Sequence, residues 1–145
     1  MPLEITGREQ EGIEILNLNG RLTFGQEDLD FRSELDRLIK AGQVRVALNL
    51  GDLRTLDTTG LGTLFFALAK LRKAGGSLAI FNIQPAHIEL LTATRLESAL
   101  EVFHGQQDAI DSFFPDRQIR RYDILQFVES LKPKMKSAEN DHPNL

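Results

Sequence analysis

A chain of 145 residues and 16.3 kDa is the size of one domain, able to bury about two-thirds of its unfolded surface without a covalent staple. The absence of cysteine excludes a disulfide framework, a thiolate metal site and a cysteine nucleophile, and makes a reducing cytoplasm the expected home. A net charge of −4 with a pI near 5.4 argues against a protein that neutralises phosphates over a basic face, so direct binding of nucleic acid is not expected.

The start, Met1-Pro2-Leu3-Glu4-Ile5, has neither the basic nor the apolar region of an export signal, and no apolar run approaches the roughly 20 residues that span a bilayer. No membrane insertion is expected. Leu3 to Gln10 reads as a weak strand and Gly12 to Asn19 as a stronger one, with near-alternation of Ile13, Ile15 or Leu16, and Leu18; Glu11-Gly12 suits the turn between them. Asn19-Gly20 closes that second strand, and Arg21-Leu22-Thr23-Phe24-Gly25 leads toward a helix.

From Gln26 to Ala41, Leu29, Phe31, Leu35, Leu38 and Ile39 fall at helical spacing, and Gly42 is placed as a stop, so the segment is expected as an amphipathic helix on one sheet face. Val44 to Leu50 is nearly all apolar and fits a central strand buried on both faces. A short polar turn follows. Leu61, Leu64, Phe65, Leu68 and Leu71 then mark a helix through Lys73, ended by Ala74-Gly75-Gly76.

Ser77 to Phe81 is a further buried strand, and Gln84-Pro85 opens a third helix with Ile88, Leu90 and Leu91 as its apolar side. Leu100 to Phe103 is a last short strand and Gln106 to Phe113 a further helix. The alternation predicts an α/β domain over residues 1–114, with a small mixed sheet of about four to five strands and helices packed on it. After a break at Pro115, residues 115–132 are expected to form an amphipathic helical extension, with Ile124, Phe127, Val128 and Leu131 on one side; residues 133–145 have the composition of a disordered tail.

The stretch Leu56-Asp57-Thr58-Thr59-Gly60-Leu61-Gly62 lies where the apolar strand and its turn give way to a helix. A hydroxyl at such a helix entrance can cap a free N–H, and a phosphate there meets several such donors and the positive end of the helix dipole. Gly60 and Gly62 are expected to keep the surface low so that another protein can approach.

Together with Val46-Ala47-Leu48-Asn49-Leu50, Ala74-Gly75-Gly76, the strand Leu78 to Phe81 and the helix start Pro85-Ala86, this segment resembles the STAS domain of sulphate transporters and anti-sigma factor antagonists. The resemblance runs over about residues 3–113. It implies a regulator that is not an enzyme and needs no cofactor or metal. Thr58 is implied as the residue phosphorylated by an anti-sigma factor that is itself a serine/threonine kinase, with a phosphatase to reset it. Asp57, Thr59, Gly60, Leu61, Gly62, Thr23 and Phe66 are the expected switch and partner-binding residues, Phe66 as an exposed contact. A homodimer is left open.

Two positions depart from the resemblance: Thr23 stands where the related turn carries an Asp, and Arg95 where the third helix would be followed by Gly, so a different C-cap is expected there. The alternative is a STAS scaffold that is not phosphorylated, in a stressosome-like assembly or a lipid-transport ATPase complex, with Thr58 and Thr59 in a constant docking surface. His87, His104 and His142 lack metal spacing and are expected at the surface. Gln26-Glu27-Asp28 is read as solvated or helix-initiating charge. Neither a Gly-rich phosphate loop nor a nucleophile elbow is present, which leaves a small-molecule enzyme as the weakest reading.

Overall fold

The computed structural model describes residues 2–117. Strands β1 (Glu4–Gln10) and β2 (Ile13–Leu22) are followed by α1 (Gln26–Lys40), β3 (Arg45–Asn49), β4 (Leu53–Leu56), α2 (Thr58–Lys73), β5 (Ser77–Phe81), α3 (Pro85–Ala93), β6 (Val102–Phe103) and α4 (Gln106–Asp111). Residues 118–132 of the expected extension and the tail expected after it lie outside the described residues.

One sheet runs in the order β1-β2-β3-β5-β6. β1 pairs antiparallel to β2 through the Glu11-Gly12 turn, where both residues have positive φ, the backbone that a two-residue hairpin turn requires. The β2-β3, β3-β5 and β5-β6 pairs are parallel, each joined through a segment that contains a helix. β3 is central, and its Val46, Ala47 and Leu48 are all buried, as a run without polar alternation predicts.

The near-alternation in β2 resolves into its two faces. Leu16 and Leu18 join Val46, Leu48, Leu78 and Ile80 under α1, α2 and α3, while Ile13 and Ile15 join Ala47, Ala79, Phe81 and Phe103 under α4. Both faces of the sheet are therefore covered at the end where α4 lies, and the core has two parts.

The expected turn after β3 is also a strand. β3 pairs with Glu14–Asn17 of β2; the chain turns at Leu50–Asp52, where Leu53 N–H donates to Leu50 O at 3.2 Å, and β4 then pairs with β2 further along, at Gly20–Leu22. Asn49 braces this turn, its Nδ2 donating to Asn17 Oδ1 at 2.8 Å and its Oδ1 accepting from Gly51 N–H at 3.0 Å. β2 accordingly continues to Leu22, past the end that Asn19-Gly20 predicts. A bulge between Gly20 and Arg21 marks the shift in register, and a side chain at Gly20 would meet the Pro2 carbonyl.

Two further expectations change. Arg95 takes the left-handed conformation, φ 59°, and closes α3 with Leu96 N–H on Leu91 O at 2.9 Å and Arg95 N–H on Thr92 O at 3.0 Å. That pair of bonds is the Schellman closure normally made with glycine, so the cap is the usual one with an unusual residue. Leu29, expected in the buried stripe of α1, is exposed, because at about 100° per residue it points nearly opposite to the buried Phe31 and Leu38.

Candidate functional site

The site is the junction of β4, the β2–α1 loop and the first turn of α2. Asp57 is the N-cap of α2, its Oδ1 accepting Gly60 N–H at 2.7 Å. Its other oxygen, Oδ2, accepts Phe24 N–H at 3.1 Å, so one carboxylate ties the β2–α1 loop to the helix. The cap expected from a hydroxyl at this entrance is thus made by the Asp57 carboxylate.

Thr58, the first helical residue, is exposed, whereas Thr59 is half-buried. Thr23 is half-buried in the loop beside the site, and Gly62 is exposed with open space where a side chain would stand. These four positions offer surface at that junction.

Three other expected contact residues do not. Leu61 is 2% exposed and belongs to the core. Gly60 is buried, and a Cβ there would lie 2.0 Å from Leu22 O; its lack of a side chain serves the packing of α2 on β2, not the approach of a partner. Phe66 is half-buried, with the guanidinium of Arg32 4.1 Å and the ammonium of Lys70 5.3 Å from its ring centre, so its face is already occupied by cations.

Those cations belong to a polar seam between α1 and α2. Asp28 accepts from the Thr63 hydroxyl and from Arg32 Nε; Lys70 donates to Asp36 at 2.6 Å. Asp28, Arg32 and Asp36 recur every four residues and so share one side of α1. Burial raises the Asp28 pKa, but the bonds from Thr63 and Arg32 outweigh it and leave it below the ordinary carboxylate value. Glu27 is buried and paired with Arg21 at 2.8 Å. Both acids stand in the first turn of α1, the helix-initiating alternative expected for Gln26-Glu27-Asp28, and neither is the solvated charge.

His87 is 4% exposed, not a surface residue. Burial lowers its pKa, partly offset by a hydrogen bond with the Arg54 backbone, and Nδ1 has no partner. It lines an open groove between β4 and α3 with Arg54, Leu56 and Leu90. The signal was in the sequence: His87 lies one turn before Leu91, on the apolar side of α3. The exposed Phe24 and Leu29 were missed for a different reason, since exposure of an apolar side chain is a tertiary property.

Among the described residues, no group of three or more His, Asp or Glu could hold a metal ion, and no helix is long and apolar enough to cross a membrane.

A profile of the STAS domain family matches residues 4–109. The chain belongs to the STAS domain family. It is 25% identical over 111 residues to the anti-sigma F factor antagonist of Paenibacillus polymyxa, a match covering 76% of this chain and 94% of that protein. Its fold is similar to a crystal structure from Thermotoga maritima described as an anti-sigma factor antagonist, with a TM-score of 0.69, 19% identity and coverage of 75% of this chain and 93% of that one. It is also similar to the Bacillus cell fate determinant SpoIIAA in the phosphorylated form, with a TM-score of 0.57, 17% identity and coverage of 76% and 97%.

Proposed function

We propose that this chain is an anti-sigma factor antagonist that works by partner switching in the cytoplasm. With Thr58 unmodified it binds a kinase-type anti-sigma factor; that kinase transfers the γ-phosphoryl group of ATP to the Thr58 hydroxyl, binding is lost, and a phosphatase restores it. Family membership and the antagonist relatives support the regulatory role. The observation that carries the choice of residue is the exposure of Thr58 at the first position of a helix already capped by Asp57, beside a half-buried Thr59.

The chemistry suits the place. A phosphate adds about −1.5 to −2 of charge beside Asp57, yet the free N–H groups and dipole of the α2 N-terminus can accept it without unfolding the helix. The fold persists while the docking surface changes, which is what a reversible switch needs. A loss of about 3 kcal/mol at the interface would lower affinity by roughly 10²-fold.

Calorimetry against the purified anti-sigma kinase tests the reading. Thr58→Asp is expected to weaken binding by about 10²-fold, while Thr58→Ala binds as the wild type does and resists inactivation by ATP. Wild-type affinity in the aspartate variant would sink the switch and favour the constant scaffold, a reading to which Thr23 lends weight by standing in place of a carboxylate. Mass spectrometry of the peptide containing Thr58, from cells, checks the modification directly.

A further inference from the structure

Phe24 is 81% exposed and Leu29 58%, large apolar side chains that the described fold leaves in solvent. With Gly25 as the cap of α1, they occupy the position before the cap and the fourth helical position, which are neighbours in a helix start. At these exposures the two side chains cover little of each other. The backbone of Phe24, by contrast, is held: its N–H donates to Asp57 Oδ2 at 3.1 Å, and Oδ1 of the same carboxylate holds Gly60 N–H at 2.7 Å. Thr58 is the next residue. The first turn of α1 has no side-chain cap of its own, and Thr23 brings no carboxylate to the loop, so Asp57 is the side chain that ties the loop to α2.

We infer that Phe24, with Leu29 beside it, is the apolar anchor that enters a pocket on the anti-sigma partner, and that Asp57 positions this anchor so that phosphate on Thr58 releases it. The inference rests on the phosphoswitch proposed above. Phosphoryl transfer forms a bond from Thr58 Oγ1 to the γ-phosphorus of ATP, breaks the bond from that phosphorus to the β,γ-bridging oxygen, releases ADP and passes the hydroxyl proton to water. The new dianion competes with Asp57 for the donors at the α2 N-terminus, Gly60 N–H among them, and repels it as a like charge. A displaced Asp57 gives up Phe24 N–H, and the anchor loses its fixed presentation. The switch then acts through shape as well as charge. A protruding ring beside the modified residue suits a pocket on another protein, and its surface is continuous with the one the kinase must reach.

The test uses the full chain and, as probes, the purified kinase-type anti-sigma factors encoded in the same genome. Phe24→Ala is expected to bind about 30-fold more weakly or worse, as loss of a central aromatic anchor does, and Phe24→Leu to recover part of that. The thermal midpoint of both should match the wild type, because the ring is exposed. Wild-type affinity for Phe24→Ala alongside weak binding by Thr58→Asp overturns the anchor and leaves the phosphoswitch standing. No binding by the wild type, or none lost in Thr58→Asp, overturns the phosphoswitch and the inference with it.

Hydrogen exchange at the Phe24 amide tests the link without a partner. It should be about 10-fold faster or more in the Thr58-phosphorylated chain and in Asp57→Asn than in the wild type; unchanged exchange in the phosphorylated chain overturns the role of Asp57. Self-association of the wild type that Phe24→Ala abolishes, with anti-sigma affinity intact, would assign the anchor to a second copy and overturn the partner named here.

Discussion

At Gly60 the space a side chain would need is taken by the Leu22 carbonyl. Even alanine must push α2 away from β2, and the backbone on both sides has little freedom to yield. Gly60→Ala is therefore expected to lose about 1–3 kcal/mol of stability, read from urea unfolding, while Gly62→Ala, with open space at its Cβ, should be neutral or slightly stabilising because it removes a helix-interior glycine. His87 acts at the same scale through its proton. Its folded pKa lies below the ordinary value because burial disfavours the charged ring. The unfolded chain consequently binds more protons than the folded one below about pH 6.5. Stability is complete well above that pH and falls as the pH drops through it toward the folded pKa, and His87→Leu should flatten the dependence below about pH 6.5, measured by denaturant midpoints.

The helix ends show how an element can obey a rule with the wrong letter. α1 and α2 finish at Gly42 and Gly75, both with positive φ, and α3 at Arg95 with φ 59°. A side chain in that region is strained, and glycine is not. Arg95→Gly should stabilise the protein by about 0.5–1 kcal/mol, seen as a higher thermal midpoint, because the Leu96–Leu91 bond is already formed and only the strain is removed. Arg95 was readable as a departure from the glycine pattern. That the closure would persist was not, since the packing of Leu96 against the core holds the residue before it in place.

β4 is the element that the sequence hid. Four residues with only their ends buried carry no period, and their pairing depends on β2 running past Gly20, more than thirty residues away in sequence. Its effect on the site is direct, because the end of β4 delivers Asp57 to the head of α2 and to the loop that bears Phe24.

For the molecule as a whole, β3 and β5 stand between covered faces, whereas β1 is an edge strand whose residues Thr6 to Glu9 are exposed. Amides of Val46–Leu48 and Leu78–Ile80 should exchange slowest, near the rate of global unfolding, and those of β1 much faster, as hydrogen exchange followed by NMR would record. Phosphate placed on Thr58 should leave that pattern intact outside the α2 entrance and the β2–α1 loop, because Thr58 is exposed and belongs to neither core cluster.

The sequence by itself determined the order of every strand and helix except β4, the two-sided burial of β3, the helix entrance at Asp57-Thr58-Thr59 and the family pattern around Thr58, because each is written in local period or in residues adjacent along the chain. Only the tertiary structure decided which of those residues reach the surface. Leu61 and Gly60 share the motif with Thr58 but point into the fold, while Phe24, far off in sequence, stands beside it on a single carboxylate. Exposure is the remainder left after long-range packing, and no local pattern encodes which side chains will be left over.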